Sequence, residues 1–229
     1  PFTMHRNNFA IFSACACALA LLSAARAQVP TYRVDPIVSY SVSTTLQGAS
    51  EAGHLVGHQT VNGQIRAFVA KLGEGLTQLP LPPNYVSSTA LGANSSGVIV
   101  GAVADNGFPF DLGEPAIWTP NGAGGYDVAS PQQFQSLPSP LGGALPVDGG
   151  MAVAVNESGT IVGWSRYFGF QGGPSTVFSL TAPPVTLGAL GFAATVTSIN
   201  NHDVAAGGQI RFDLKTNTAT DIGLPVLEP

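Results

Sequence analysis

Charge is scarce in this chain. Only 9% of its 229 residues are Asp, Glu, Lys or Arg, against about 25% in an ordinary globular domain. With 45% hydrophobic residues, it lacks the low-hydrophobicity, high-charge signature of disorder. The shortage of Lys, Glu and Arg also argues against a helical bundle or coiled coil. Its 8 basic residues are scattered and outnumbered by 13 acidic ones. They form no basic patch for phosphates, which excludes nucleic acid as a partner. Cysteine is nearly missing: the chain has 2, Cys15 and Cys17, both within the first 27 residues. Abundant instead are glycine (28) and proline (18), which punctuate short elements and tight turns.

The N-terminal segment reads as an export leader. Met4-His5-Arg6-Asn7-Asn8 is polar with one cation, Phe9 to Leu22 carries no charge, and Ala25-Arg26-Ala27 follows. A basic start, an apolar stretch and an Ala-x-Ala site are the parts of a secretory signal peptide. Arg26 ends the run before the roughly 20 residues that a transmembrane helix needs. Residues 1–27 are therefore expected to be removed, with Met4 as the natural start, leaving no membrane span. The expected destination is the periplasm or the extracellular space. The remaining segment, 28–229, holds no cysteine and has 6 basic and 13 acidic residues, a net charge of −7. Without disulfides, its stability rests on its core.

An octet recurs in that segment. Asn94-Ser95-Ser96-Gly97-Val98-Ile99-Val100-Gly101 agrees with Asn156-Glu157-Ser158-Gly159-Thr160-Ile161-Val162-Gly163 at Asn, Ser, Gly, Ile, Val and Gly. Asn200 to Gly207 is a degenerate copy with Asp203 replacing the first Gly, and Ser50 to Gly57 is another with Ser replacing Asn. Runs bearing an aromatic follow: Ala67-Phe68-Val69, Ala116-Ile117-Trp118, Thr176-Val177-Phe178 and Arg211-Phe212-Asp213. Closing runs follow in turn: Leu76 to Leu79, Phe134 to Leu137, Val185 to Leu187, and Thr220 to Ile222. Four short strands in about 44 residues is the size of one propeller blade. The expected fold is all-β, a propeller-like array of about four four-stranded blades, with an incomplete ring as one form of it. The units fall near 39–82, 83–140, 141–190 and 191–224. Asn and Gly tolerate the positive φ of hairpin turns, so Asn94, Gly97, Asn156, Gly159 and Asn200 are assigned to chain reversal. The closing Gly101, Gly163 and Gly207 are assigned to close backbone approach. Extra length in the second unit is placed in loops around Phe108 to Glu114 and Ala129 to Pro146, and such insertions tend to gather on one face.

These residues resemble the bacterial extracellular HAF-repeat proteins. The core of that family's repeat is carried by Asn94 to Gly101 and Asn156 to Gly163. Its His-Ala-Phe hallmark appears as Arg66-Ala67-Phe68, and its Asp-Leu-Gly end as Asp221-Ile222-Gly223. The resemblance covers roughly residues 32 to 224 and implies export and a propeller-like array, but no activity. Tyr32 to Ile37 also reads as a closing strand ahead of the first unit. There are then more closing strands than Asn turns, the pattern expected of the N-terminal part of a longer propeller.

Chemistry-bearing residues are sparse. His54 and His58 share a strand face, with His202 and Asp203 as remoter zinc candidates. Four residues along a strand span about 13 Å, too far for two histidines on one tetrahedral ion. Asp105-Asn106-Gly107 and Asp148-Gly149-Gly150 lack the ladder of acidic ligands that calcium needs, and read as hairpin turns. No catalytic residue, metal or cofactor is expected. The suggestive feature is aromatic: Phe108 and Phe110, and Tyr167, Phe168 and Phe170, occupy corresponding loops between second and third strands. Beside glycine they would stack on a sugar or anchor a partner protein, or else pack on the next blade. The expected function is an exported, non-catalytic interaction or cell-surface binding module, with carbohydrate or a surface protein as the partner classes considered. The alternative is an exported polysaccharide hydrolase or lyase, which needs carboxylates converging at one mouth of the ring.

Overall fold

The computed structural model describes residues 43–71, 73–107, 109–110, 113–129, 136–138, 144–167, 175–179, 185–187 and 195–223. Among them all regular structure is strand, in four antiparallel meanders. The first holds β1 (Thr44–Ala49), β2 (His54–Val61), β3 (Gln64–Lys71) and β4 (Gly75–Gln78). The second holds β5 (Ser87–Ala93), β6 (Ile99–Ala104), β7 (Glu114–Pro120) and β8 (Tyr126–Val128). The third holds β9 (Ser136–Pro138), β10 (Ala144–Val155), β11 (Ile161–Tyr167), β12 (Ser175–Phe178) and β13 (Val185–Thr186). The fourth holds β14 (Ser198–Ile199), β15 (Val204–Gly207), β16 (Ile210–Asp213) and β17 (Thr218–Asp221). The sheets stack first on second, second on third and third on fourth, an open blade-like array.

One strand differs from expectation. The run 134–137 was expected to close the second sheet, but Ser136–Pro138 pairs with Ala144–Pro146 of the third. The second sheet is closed by Tyr126–Val128 instead, which pairs with Pro120–Trp118 across the tight Asn121–Gly125 turn. A local hairpin closes with less loop entropy than a longer return.

The repeated octet folds as a type I turn followed by a left-handed residue, a common hairpin connection. In the second sheet Gly97 N–H donates to Asn94 C=O (3.1 Å) and Asn94 N–H to Val98 C=O (3.0 Å). The left-handed positions are Gly53 (φ 82°), Gly97 (84°), Gly159 (84°) and Asp203 (61°). Positive φ therefore belongs to the fourth turn residue and not to the Asn. The Asn side chain instead braces the turn. Its Oδ1 accepts from the backbone N–H four residues on, as in Val98 to Asn94 (2.9 Å), Thr160 to Asn156 (2.8 Å) and Val204 to Asn200 (3.0 Å).

The amide nitrogen of the same side chain reaches the next sheet. Asn94 Nδ2 donates to Asn156 C=O (3.0 Å), and Asn156 Nδ2 donates to Asn200 C=O (3.1 Å). Beside this ladder runs a second. Ser95 N–H donates to the Glu157 carboxylate (2.9 Å), and Glu157 N–H donates to Asn201 Oδ1 (3.0 Å). Asp203 Oδ1 accepts from Asn156 Nδ2 (2.8 Å) and Thr160 Oγ1 (3.0 Å), while Oδ2 pairs with Lys215 at 3.6 Å. The first sheet lacks this clasp. Ser50 Oγ lies 3.0 Å from His54 Nδ1 of its own turn and has no amide to extend to Asn94.

Three of the closing glycines face a kink in the first strand. The register slips between Leu46 and Gly48, Ala90 and Gly92, and Ala152 and Ala154, opposite Gly57, Gly101 and Gly163. At such a bulge two residues oppose one, and the backbone bends toward its partner. A methyl group on Gly57, Gly101, Gly163 or Gly207 would overlap the carbonyl oxygen of Thr45, Thr89, Met151 or Thr195. The close approach expected of these glycines is thus met by the paired strand itself.

The sheets meet through alternating faces. One face carries a branched aliphatic pair: Val56–Val69, Val100–Ile117 and Val162–Val177. These pack on the opposite face of the next sheet, which carries Ile99–Trp118, Ile161–Phe178 and Ala205–Phe212. Phe68 is offset, paired with Gly57 and so equivalent to Ala116, not to Trp118. In the fourth sheet the outward pair is Ala206–Arg211, with the half-exposed Arg211 at 3.9 Å from Asp213. The apolar ridge of the other three sheets is absent there.

Two outcomes test the clasp and the bulge. Ser50→Asn should donate to Asn94 C=O and stabilise by about 1 kcal/mol, the net value of one hydrogen bond. Thermal unfolding should then rise by about 2–4 °C for a chain of this size. Gly101→Ala should destabilise by about 3 kcal/mol through overlap with Thr89. A third concerns acid. Hydrogen bonds from Asn156 above all, then Thr160, hold the Asp203 carboxyl below its ordinary value. A depressed carboxyl stabilises the fold above its unfolded pKa and loses that contribution as pH falls through the folded one. Urea midpoints of the wild type should drop between pH 5 and pH 3 more than those of Asp203→Asn.

Candidate functional site

A meander places alternate connections at opposite ends. The Asn turns occupy one end, so the β2–β3, β6–β7 and β4–β5 connections gather at the other. The residues preceding β5 and the long β6–β7 connection build the clearest surface there. Ser87, Ser88 and Thr89 are fully buried polar residues at the start of β5, and buried polar groups need partners. Ser87 Oγ donates to Asn106 C=O, pinning the root of the β6–β7 connection. Ser88 Oγ accepts from Ala67 N–H (2.9 Å), joining the first and second sheets. Thr89 Oγ1 shares a hydrogen bond with His58 Nδ1 (3.2 Å).

Phe110 stands on this base. Its ring meets His58 edge to face, with centroids 5.0 Å apart and planes at 69°, within the favourable range for aromatic pairs. It keeps 38% of its surface exposed. The connection is fixed at its far end too, where Gly150 N–H donates to Gly113 C=O (2.8 Å). The hydroxyl of Tyr85, just before β5, is raised far above its ordinary pKa by burial, then by Glu114 and Asp105. It stays protonated and hydrogen-bonds Glu114.

The aromatic candidates divide. Phe110 is part-exposed and packs on His58 of the preceding sheet, where packing on the next one was the expected alternative to binding. Tyr167 ends β11 and pairs with Val147, so it belongs to a strand and not to a loop. Phe108, Phe168 and Phe170 lie outside the described residues. The turn residues Asn94, Gly97, Asn156, Gly159 and Asn200 serve the turns and the clasp, Gly101 and Gly163 face bulges, and Gly207 lies against the Thr195 carbonyl. Asp148-Gly149-Gly150 is no turn. It lies inside β10 at a register slip, where Gly149 leaves room for Arg166 and for the Gly113 carbonyl.

The histidines separate as the strand spacing requires: His54 pairs with Ser50, and His58 with Thr89. Among the described residues no three His, Cys, Asp or Glu side chains are grouped to hold a metal. From sequence His58 reads as a solvated strand histidine in preference to a ligand; the structure half-buries it instead, as the platform for Phe110. The Ser87-Ser88-Thr89 run opening an apolar strand was the available signal.

Burial holds the His58 imidazole below its ordinary value. Protonation therefore opposes folding. The stability His58 confers is complete above about pH 6.5 and declines as pH falls toward the lower folded value. Thermal unfolding followed from pH 8 to pH 5 should fall less steeply for His58→Gln than for the wild type.

No family model, no curated protein and no solved structure matches this chain.

Proposed function

We propose that this chain is an exported, non-catalytic binding module of the HAF-repeat type. On this reading it presents the loops opposite its Asn turns to a cell-surface or extracellular partner. The observation that carries the reading is Phe110, a part-exposed aromatic held edge-on by His58. Its connection is pinned at both ends by backbone-directed hydrogen bonds. Aromatic anchors on a rigid base bind with little loss of side-chain freedom. The leader-like residues 4–27 support export. The Asn ladder supports the rigid scaffold that such loops require.

Co-sedimentation with cellulose, chitin and purified peptidoglycan tests the proposal, comparing the wild type with Phe110→Ala and with Phe168→Ala. At least one polymer should carry the wild type down. The fraction bound should fall about fivefold or more in a variant whose melting temperature is unchanged. Equal binding by wild type and both variants would count against the aromatic surface.

A further inference from the structure

We propose a second binding site, for a neutral pyranose sugar, in the cleft between the first and second sheets at the end that carries the Asn turns. It is separate from the Phe110 surface and does not rest on it.

The cleft lies where the Asn clasp is missing. Between the second and third sheets, Asn94 bridges the turns, and Asn156 does the same between the third and fourth. Between the first and second, Ser50 keeps its hydroxyl on His54 Nδ1, which leaves the Nε2 edge of that ring toward the neighbouring sheet. A methyl group on Gly97 would lie 3.7 Å from both His54 Nε2 and the Tyr126 hydroxyl. Both side chains also line the cleft, and neither atom is hydrogen-bonded to a described residue. Both atoms are open to the cleft, where ligand hydroxyls would replace water as their partners.

The remaining walls suit the same ligand. The cleft encloses about 140 Å³, below the roughly 300 Å³ or more of pockets that enclose drug-sized molecules, so one ring is the size that fits. Lys71, Glu74 and Thr77 line it from the β3–β4 hairpin, and Tyr126 lines it from β8. Lys71 and Glu74 stand 3.6 Å apart, so their charges balance. A balanced pair favours neither an anion nor a cation, but it offers a strong donor and a strong acceptor to vicinal hydroxyls. The Tyr126 ring packs against the core cluster and supplies the apolar wall that a sugar face needs. Burial, then Glu74, raises its hydroxyl pKa, so it remains a donor.

Titration calorimetry of the whole chain against methyl glycosides of glucose, galactose, mannose and N-acetylglucosamine tests the site. One of them should bind with a Kd on the order of 1 mM, as expected for so few ligand atoms. Glu74→Gln and Lys71→Met alter exposed side chains and should fold normally, with binding weakened tenfold or more. Tyr126→Phe keeps the packed ring and should weaken binding severalfold. Phe110→Ala should bind the glycoside as the wild type does, which separates this site from the aromatic surface. Failure of all four glycosides to bind, or binding untouched by Glu74→Gln, overturns the proposal.

Discussion

A side-chain amide has an acceptor at one atom and two donors at the other, and the Asn residues of this fold use both ends in different sheets. The oxygen completes the turn in which the residue sits, while the nitrogen reaches the turn carbonyl of the following sheet. Local and long-range structure are thereby joined in one residue. Neither contact is optional once the turn is buried, because Asn94 and Asn156 are almost wholly removed from water and an unpaired amide there would cost about 1–3 kcal/mol. From the second sheet to the fourth, the position of each sheet relative to the next follows from this link at one end and from aliphatic-on-aromatic packing along the faces.

The division of labour between the two ends of the array has the same origin. The Asn end is occupied by turns that cannot lengthen without breaking the ladder, so added residues accumulate at the other end. There the β6–β7 connection and the β9–β10 hairpin extend, and Phe110 finds its place over His58. Where the ladder lapses, at Ser50, the gap becomes a polar cleft. There His54 of the first sheet and Tyr126 of the second line one gap.

Much of the fold was legible because its signals are local. Gly97 and Gly159 mark left-handed turn positions that only a few residues tolerate, and Trp118 and Phe178 mark β7 and β12, the strands that follow the glycine-bearing β6 and β11. Assignments failed where the competing structure was nearby in sequence. The run 134–137 had strand character, yet the shorter Asn121–Gly125 turn captured the edge of the second sheet first. Phe68 looked like the counterpart of Trp118, but the two-residue Asn62–Gly63 turn sets a different register. The site was less legible still. His58, Thr89 and Phe110 come from three separate segments, and no spacing rule links them.

Composition and repetition alone determined the class of the molecule: short strands, tight turns, no disulfide in the repeat segment, and a unit used four times. Those properties depend on φ preference, side-chain branching and residue counts, which are carried by each residue whatever surrounds it. Tertiary structure decided what the repeated residues are for. Asn was chosen for its bridging amide and not for its backbone freedom, and the closing glycine for a bulge in the strand beside it. It also decided that the outward face of the fourth sheet carries Arg211 where its siblings carry Val or Ile. Such roles exist only once a second segment arrives to be touched, and no property of a single residue encodes that meeting.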